Sequence, residues 1–287
     1  MTVVVSWNIQ NGKGTDDLVS LPRIAGVIAN MGDPDIICLQ EVSRHLPLFG
    51  AARAVDQTAE LTSLFPGYEV LFGIAIEADR NGKTPRWQYG NATLTRLPVL
   101  SVFTHPLPQP ADGTVRHMPR QATETTIATA GGPLRVVNTH LEFHSKRQRL
   151  AQIARLRDLH RETAANTQAP ANHDADGSYQ HLNRPQSCII CGDFNIDVGS
   201  QEYDAMLSSV AGDTAPLHDA WRGVHRDQPH KPTCGVHDHV QWPQGPHCRD
   251  FFFVTGDVSA AIESLTVDTE TNASDHQPLM LSIADQS

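Results

Sequence analysis

Short apolar runs that end abruptly in polar residues recur along this chain. In the clearest case, residues 187–191 contain two β-branched isoleucines and are followed by Gly192-Asp193-Phe194-Asn195. A short apolar run bounded by glycine is typical of a buried strand. Because alternate residues of an extended segment point to the same side, Asp193 and Asn195 can address one ligand while Phe194 packs the other way. Such residues are also common turn caps, and this stretch alone leaves both interpretations open.

The start of the chain predicts a strand, a helix and a second strand. Residues 3–6 and 35–41 are apolar runs, and apolar residues recur at helical spacing within 21–30. A crossover of this kind places the two strands parallel, with their exits on one edge of the sheet. We therefore expect Asn8 and Glu41 to be neighbours.

The same patterns predict most of the remaining elements. Further strands are predicted at residues 68–74, 91–96, 98–103, 120–128, 134–140, 249–254 and 279–283. Helices are predicted at about 51–64, 145–161 and 202–210, with another helix ending at 218–222.

Two segments have no clear periodicity. Residues 77–89 combine basic and aromatic side chains around a central Asn-Gly pair, which predicts either a loop at the rim of a site or a solvated hairpin. Residues 162–186 turn to Ala, Asn, Asp, Gly, Gln and Pro. This composition predicts a flexible insertion within a single domain of residues 1–287.

The overall composition narrows the class of protein. Apolar residues make up 39% of the chain and charged residues 19%, as in a soluble globular protein. The net charge of −10 provides no global positive field, which disfavours tight sequence-independent binding to DNA or RNA. The sequence has no apolar stretch long enough for a membrane span and no signal-peptide pattern at its start. We therefore expect a cytoplasmic protein.

The cysteines do not predict a disulfide framework. Five cysteines are an odd number without dense spacing, which favours reduced thiols. Cys188 and Cys191 have C-x-x-C spacing, but they lie in a strand where positions three apart face opposite ways, which disfavours a redox role. Residues 224–248 contain Cys234, His237, His239, His247 and Cys248. Their spacing fits no standard zinc pattern, so an irregular loop beside a site is favoured over a zinc site.

Polar residues stand at corresponding ends of six predicted strands. Four strands end in them and two begin with them; the residues are Asn8, Glu41, His140, Asp193 with Asn195, Asp250, and Asp275 with His276. If all six sets meet at one edge, the last two strands run opposite to the first four. Mixed or antiparallel sheets are then required, with acids, amides and imidazoles around one cleft.

These residues resemble the motifs of the endonuclease/exonuclease/phosphatase superfamily, which contains deoxyribonuclease I. The matching segments are Trp7-Asn8, Gln40-Glu41, Gly90-Asn91-Ala92, Arg96-Leu97-Pro98, Asn138-Thr139-His140, Arg149 with Gln152, Gly192-Asp193-Phe194-Asn195, Arg249-Asp250-Phe251 and Ser274-Asp275-His276 with Pro278. They occur in the family's order and extend over residues 3–283. The resemblance implies an α+β fold, a four-layer α/β/β/α sandwich in which two mixed sheets pack face to face with helices outside.

The resemblance also implies roles for individual residues. Glu41, helped by Asn8 and Asp275, would bind Mg²⁺ or Mn²⁺, cations that prefer such oxygen ligands. Asp193 would orient or deprotonate the attacking water, and Asn195 and His140 would contact the phosphate. His276, oriented by Asp250, would be a second acid/base or phosphate contact. The substrate-binding residues would be Asn91, Arg149 and Arg120, although a structural role is equally compatible with Asp250 and Asn91.

The substrate is less clearly indicated than the reaction. The segment Asn138-Thr139-His140-Leu141 resembles the deoxyribonuclease I, sphingomyelinase and phosphatase branches rather than the abasic-site endonucleases. The leading hypothesis is a metal-dependent phosphoester hydrolase acting on a small or single-stranded phosphodiester, or on a phosphomonoester. The substrate could be a nucleotide or oligonucleotide, and no protein partner is predicted. The alternatives are a nuclease acting on duplex DNA and a non-catalytic binding scaffold.

Overall fold

The computed structural model describes residues 1–47, 55–80, 82–169, 177–179, 182, 184–208 and 216–285. The strands within these ranges are β1 (Thr2–Asn8), β2 (Ile36–Arg44), β3 (Glu69–Arg80), β4 (Lys83–Thr95), β5 (Val99–Pro106), β6 (Gln121–Thr129), β7 (Gly132–His140), β8 (Cys188–Asp193), β9 (Leu217–Asp219), β10 (Asp250–Thr255), β11 (Ile262–Val267) and β12 (Leu279–Ile283). The helices are α1 (Leu21–Met31), α2 (Gln57–Leu64), α3 (Lys146–Gln168), α4 (Gln201–Leu207), α5 (Ala220–His225) and α6 (Gly256–Ala260).

The strands form two mixed sheets, each with six strands in the described part of the chain. The first has the order β11-β12-β1-β2-β4-β3 and the second the order β5-β6-β7-β8-β10-β9. Each sheet has one parallel pair at its centre, β1 with β2 and β7 with β8. The strands β12 and β10 run antiparallel to these pairs. Strands that end in polar residues and strands that begin with them therefore share one edge, as the sequence predicts.

Apolar side chains form three layers of core that account for the sandwich. The central layer lies between the sheets and includes Val4, Ile36, Val136, Ile189 and Phe252. A second layer packs α1 and α2 against the first sheet, and a third packs α3 and α4 against the second sheet. Burial of these apolar faces is the main favourable contribution to folding. The predicted four-layer α+β sandwich is confirmed.

Of the two alternatives predicted for residues 77–89, the structure shows the hairpin, since residues 77–80 and 83–89 belong to β3 and β4. The structure differs from the sequence-based expectations at other elements. The residues expected to end a helix at 218–222 instead form β9 and the start of α5. The strand β11 was not predicted. None of the described helices has the length and apolar character needed to cross a membrane.

The predicted insertion is helical at its start. The helix α3 begins with the cap residue Ser145, whose side chain accepts a hydrogen bond from the Gln148 N–H, and it continues to Gln168. The prediction had ended this helix at about residue 161. Residues 170–176, 180, 181 and 183 of the predicted insertion lie outside the described residues, as do residues 51–54 of the helix predicted at about 51–64 and residues 209 and 210 of the helix predicted at 202–210.

Candidate active site

One edge of the sandwich holds a cavity of about 720 Å³. Strands of both sheets supply polar residues to its wall: Asn8 and Glu41 come from the first sheet, and His140 and Asp193 from the second. The other lining residues are Lys13, Gly14, Thr15, Asp17, Tyr89, Arg116, Met118, Arg120, Phe143, His144, Asn195, Asp238, Val240, Gln241, Trp242 and His276. The predicted convergence of these strand ends on one cleft is therefore observed.

Local backbone geometry turns two of the polar side chains toward the site. Glu41 has a φ of 58° at a bulge where the pairing of β2 with β4 shifts between Leu39 and Val42. Asn195 has a φ of 53° directly after β8. Bulges and left-handed residues re-aim side chains and are common beside functional sites.

Gly192 allows the central strand to lie close to its neighbour. Its φ is 137°, and an added Cβ would lie only 1.8 Å from the carbonyl oxygen of Thr139 on β7. No other residue fits this position without a backbone shift. The glycine thereby fixes the position of Asp193, the next residue.

Buried hydrogen bonds join the two sheets beneath the cavity. The Gln40 side-chain amide donates to Asn138 Oδ1 over 2.9 Å, and Asn138 Nδ2 donates to the carbonyl of Ala92 over 3.0 Å. The loop before β12 is held by Trp7 Nε1, which donates to the His276 carbonyl over 2.9 Å. The residues beside the candidate catalytic groups therefore fix the relative position of the two sheets.

Asp193 lies at the centre of the polar network. Its Oδ2 accepts from Asn8 Nδ2 over 3.0 Å and lies 3.3 Å from His140 Nε2 and 3.7 Å from His276 Nε2. Its Oδ1 accepts from the backbone N–H of Asn195 over 2.9 Å. Burial and the nearby Asp250 charge raise the pKa of Asp193, although His276 and the Asn8 amide act in the opposite direction.

His276 and Asp250 form a buried pair. Asp250 Oδ2 and His276 Nδ1 are 2.8 Å apart. Burial disfavours the charged imidazole, but the carboxylates of Asp250, Asp193 and Asp275 outweigh it and hold the pKa of His276 well above its usual value. The pair therefore presents a charged imidazolium to the cavity.

Glu41 is a half-buried carboxylate whose hydrogen-bond partners include amides. Asn8 Nδ2 donates to Oε1 over 3.2 Å, and Asn11 Nδ2 lies 3.5 Å from Oε2. Burial and the charge of Asp275 raise the pKa of Glu41 to about 7. Burial also raises the pKa of Asp275, whose carboxylate accepts from Trp242 Nε1 over 3.4 Å. Glu41 and Asp275 are like charges that repel each other, and their oxygens are a suitable donor set for a divalent cation.

Three other residues satisfy the distances for a metal site. Ligand atoms of Asp193, Asp250 and His276 lie within 4.8 Å of one another. A histidine can bind a metal ion only through a neutral imidazole, however, and the surrounding carboxylates favour the protonated form of His276. The carboxylates of Glu41 and Asp275 fit a hard cation better, because they provide oxygen donors alone.

His140, Asn195 and Arg120 complete the polar wall. Asn195 Nδ2 lies 3.1 Å from His140 Nε2 and donates to the Leu141 carbonyl over 2.9 Å. Burial, the charge of Arg120 and the charge of His276 lower the pKa of His140, which favours its neutral form. Arg120 Nε lies 3.5 Å from Glu142 Oε2, whereas its buried NH1 group has no hydrogen-bond partner.

Two residues expected to bind substrate do not line the cavity. Arg149 donates to the carbonyls of Glu142 and Phe143 over 2.9 Å and 2.7 Å. Asn91 is buried on β4, opposite Gly73 of β3. Neither side chain belongs to the cavity wall, whereas Arg120 does.

The sequence indicates only part of the aromatic lining of the cavity. Phe143 lines the cavity, although no motif singles it out. Tyr89 belongs to the segment 77–89, for which the rim of a site is one of the two predictions, and Trp242 lies in the loop of residues 224–248. That loop borders the cavity, as expected, and Cys234 and His247 form a contact of 3.3 Å within it. Among the described residues, its Cys and His side chains form no group that could hold a metal.

Several solved structures share this fold. An endonuclease/exonuclease/phosphatase from Beutenbergia cavernae is 27% identical, with a TM-score of 0.70 over 98% of this chain and 70% of that chain. A mannosyl-6-phosphatase from Bacteroides thetaiotaomicron is 18% identical, with a TM-score of 0.67 over 99% of this chain and 100% of that chain. The 3′ phosphatase NExo from Neisseria, bound to a product DNA hairpin, is also 18% identical, with a TM-score of 0.63 over the same shares.

Sequence comparison assigns the family. No curated protein sequence matches the chain. The sequence model of the Endonuclease/Exonuclease/phosphatase family matches residues 5–276, which include every strand end that contributes to the cavity. The chain therefore belongs to the endonuclease/exonuclease/phosphatase family of phosphoester hydrolases.

Proposed function

We propose that this protein is a metal-dependent phosphoester hydrolase that acts on a small or single-stranded phosphodiester or on a phosphomonoester. The observation that carries the proposal is the meeting of Glu41, Asp193 and the charged His276 in the wall of one open cavity, with the charge of Asp275 close enough to raise the pKa of Glu41. A hydrolase of this kind needs a cation site, a group that activates water and donors for the phosphate oxygens. Each requirement has a candidate among these residues.

Glu41 and Asp275 are the proposed ligands of Mg²⁺ or Mn²⁺, with Asn8 beside them. A bound cation would polarise the phosphate and neutralise charge on the leaving oxygen. Asn8 Oδ1 accepts from the Gln10 N–H over 3.1 Å, while Asn8 Nδ2 donates to Glu41 and Asp193. Asn8 therefore also holds the metal-binding carboxylate beside the carboxylate that would activate water.

Asp193 is the proposed base that orients and deprotonates the attacking water. Its raised pKa suits this role, because a stronger base accepts a proton more readily near neutral pH. The hydrogen bonds from Asn8 and from the Asn195 backbone restrict the orientation of the carboxylate. Water would then be activated at a fixed place relative to the phosphate.

The phosphate oxygens are proposed to bind His276, His140, Asn195 and Arg120. His276 contributes positive charge, and Asp250 fixes the orientation of its ring through Nδ1. The unpartnered NH1 group of Arg120 is a donor available for an anion at the cavity wall. Donors held in place before the reaction stabilise the charge that grows in the transition state.

The cavity favours a compact substrate over a DNA duplex. Its volume of about 720 Å³ lies within the range of small-molecule sites, and the net charge of −10 disfavours a long polyanion. Relatives in fold include a phosphatase named for a sugar phosphate and a 3′ phosphatase bound to DNA. A nuclease acting on duplex DNA therefore remains the alternative to be tested.

The proposal can be tested with bis-p-nitrophenyl phosphate and p-nitrophenyl phosphate in Mg²⁺, Mn²⁺ or EDTA. We expect turnover that requires the metal, and a loss of at least a hundredfold in kcat for Asp193→Asn, since general-base catalysis contributes about 10²–10⁴-fold. Asp158→Asn, which changes an exposed aspartate on α3, is the matched control and should retain activity. Equal rates for wild type and Asp193→Asn would refute the assignment of the base.

Nicking of supercoiled plasmid tests the alternative. Nicking in Mg²⁺ or Mn²⁺ that disappears in Glu41→Gln would identify a duplex nuclease and displace the small-ester proposal. Intact plasmid under conditions that support hydrolysis of the small esters is the expected result. A preference for one of the two nitrophenyl esters would distinguish a diesterase from a monoesterase.

A further inference from the structure

An aromatic wall leads from the candidate catalytic centre to the cavity mouth. The Trp242 ring meets the His276 ring edge-on, with centroids 5.7 Å apart, and meets the Phe143 ring in the same way at 5.7 Å. Phe143 in turn contacts His144 edge-on at 4.7 Å. We call Trp242, Phe143 and His144 the aromatic wall; all three line the cavity.

Phe143 is the large apolar side chain of this wall that is exposed. Its side chain is 39% exposed, whereas that of Trp242 is 2% exposed. When a ligand covers a large apolar ring that is partly exposed to water, apolar surface is buried and the free energy falls. Phe143 therefore provides a surface on which part of a ligand can pack.

The backbone that carries Phe143 is held firmly in place. Arg149 donates to the carbonyls of Glu142 and Phe143 and also lies 3.3 Å from Glu202. The buried Glu142 carboxylate accepts from the His144 N–H over 2.9 Å and from the Met118 N–H over 3.2 Å. Little ordering entropy is lost on binding when the contact surface is already fixed.

The chemistry around the aromatic wall is suited to an anionic ester that carries a ring. Met118 adds a polarisable side chain to the cavity, and Arg116 Nε lies 2.7 Å from His144 Nε2. Lys13, Thr15 and Asp17 make other parts of the lining polar. Thioether and aromatic edge contacts favour planar rings over saturated groups of similar size.

We infer that the substrate carries a planar aromatic group close to its ester oxygen, and that this group packs on Phe143. The inference rests on the proposed phosphoesterase function and narrows its substrate class. Phosphate would occupy the polar end beside His276 and Arg120, while the ring would extend along the aromatic wall. Nucleosides and simple aryl or benzyl esters share the chemistry that this surface would recognise.

A binding experiment tests the inference without requiring turnover. Calorimetry in Mg²⁺ would measure the dissociation constants of benzylphosphonate, cyclohexylmethylphosphonate and methylphosphonate. We expect benzylphosphonate to bind at least tenfold more tightly than either of the others, and Phe143→Ala to reduce that preference about tenfold, as for loss of a stacking ring. Leu100→Ala, which removes an exposed apolar side chain outside the cavity, should leave the preference intact.

The outcomes separate this inference from the proposed function. Equal affinity for the benzyl and cyclohexylmethyl ligands would overturn it, as would an unchanged preference in Phe143→Ala. Hydrolysis of benzyl phosphate should show the same preference over methyl phosphate in kcat/KM, expressed mainly through KM. Failure to hydrolyse any ester would refute the proposed function, whereas the phosphonate affinities would still decide whether an aromatic group is recognised.

Discussion

Glu41 lies within the strand β2 but has a backbone conformation that differs from that of a regular strand. The apolar run before it predicts a strand that ends at Glu41, but β2 continues to Arg44 through a bulge. The bulge lets Glu41 adopt a φ of 58° and face the cavity while the strand remains paired with β4. The sequence predicted that Glu41 would reach the site; the bulge depends on the partner strand and could not be read from the run itself.

The half-buried carboxylate of Glu41 should make the metal-free protein less stable as pH rises. A carboxyl with a higher pKa in the folded than in the unfolded state holds its proton more tightly when folded, so folding loses stability as the proton leaves. The loss extends from about pH 4.5 to about pH 7, the two pKa values of Glu41. Over this pH range, the wild type should lose on the order of 3 kcal/mol of its free energy of unfolding, and Glu41→Gln should not show this loss.

Denaturant unfolding in EDTA at pH 5 and pH 8 would measure this effect. The free energy of unfolding of Glu41→Gln, relative to wild type, should be higher at pH 8 than at pH 5. Glu263→Gln, at an exposed position on β11, should follow the wild-type pH dependence. If the free energy of unfolding depended on pH in the same way in wild type and in Glu41→Gln, the charge of Glu41 would not destabilise the metal-free fold.

At the level of elements, long and strongly patterned segments were predictable and short or exposed ones were not. The segments β1, α1, β2, β7, β8 and β12 agree with their patterns because each buries an apolar face in a core layer. The strand β9 has three residues, too few for periodicity, and β11 lies at a sheet edge with alternating exposure. Near the end of the hairpin β3–β4, Glu77, Asp79 and Arg86 are exposed, so this part of the chain has little apolar periodicity.

The three polar residues Asn138, Thr139 and His140 near the end of β7 have different roles. Asn138 bonds to Gln40 and to β4 across the sheet interface, and Thr139 Oγ1 donates to the Gln121 carbonyl on β6. Only His140 of the three lines the cavity. The sequence shows a polar motif at the end of a strand. Which of its residues faces the ligand depends on how the two sheets pack against each other.

A buried charge cluster joins β6 and β7 to the chain before β8. Glu124 Oε2 lies 3.3 Å from Arg135 NH1, and Arg184 donates to both carboxylate oxygens over 2.6 Å and 2.9 Å. His105 lies 3.4 Å away, and Arg135 also contacts His160 of α3 over 2.6 Å. Burial opposes the charge, but His105, Arg184 and Arg135 outweigh it and hold the pKa of Glu124 far below its usual value.

Glu124→Gln should therefore destabilise the fold by about 3–5 kcal/mol at pH 7, since it leaves Arg135 buried without its counter-charge. A lowered carboxyl pKa contributes stability above the unfolded pKa of about 4.5, and this contribution is lost as pH falls below it. Between pH 7 and pH 3, the free energy of unfolding measured with a chemical denaturant should decrease less in Glu124→Gln than in wild type. Glu69→Gln, at an exposed position, serves as the control. A change below 1 kcal/mol at pH 7 would contradict the structural role of the cluster.

At the scale of the whole molecule, the site exists only when both sheets are assembled. Glu41 belongs to the first sheet and Asp193 to the second, while Asp275 precedes β12, which pairs with β1 near the start of the chain. The motifs occur in the family's order, and this resemblance predicted that they converge on one site. The packing that fixes their distances involves residues separated by most of the sequence, so periodicity could not supply it.

Because the proposed cation ligands come together only on folding, Mg²⁺ or Mn²⁺ should stabilise the folded protein. A ligand that binds only the folded state at a hundred times its dissociation constant adds about 2.7 kcal/mol, which corresponds to an increase in Tm of about 5 °C for a chain of this size. Thermal unfolding at pH 8 and constant ionic strength, after EDTA treatment and dialysis, would measure the shift. Asp275→Asn should lose most of it, whereas Asp158→Asn should keep it. Equal shifts in both variants would indicate that the cation acts by screening the net negative charge, and the Glu41–Asp275 site would then be wrong.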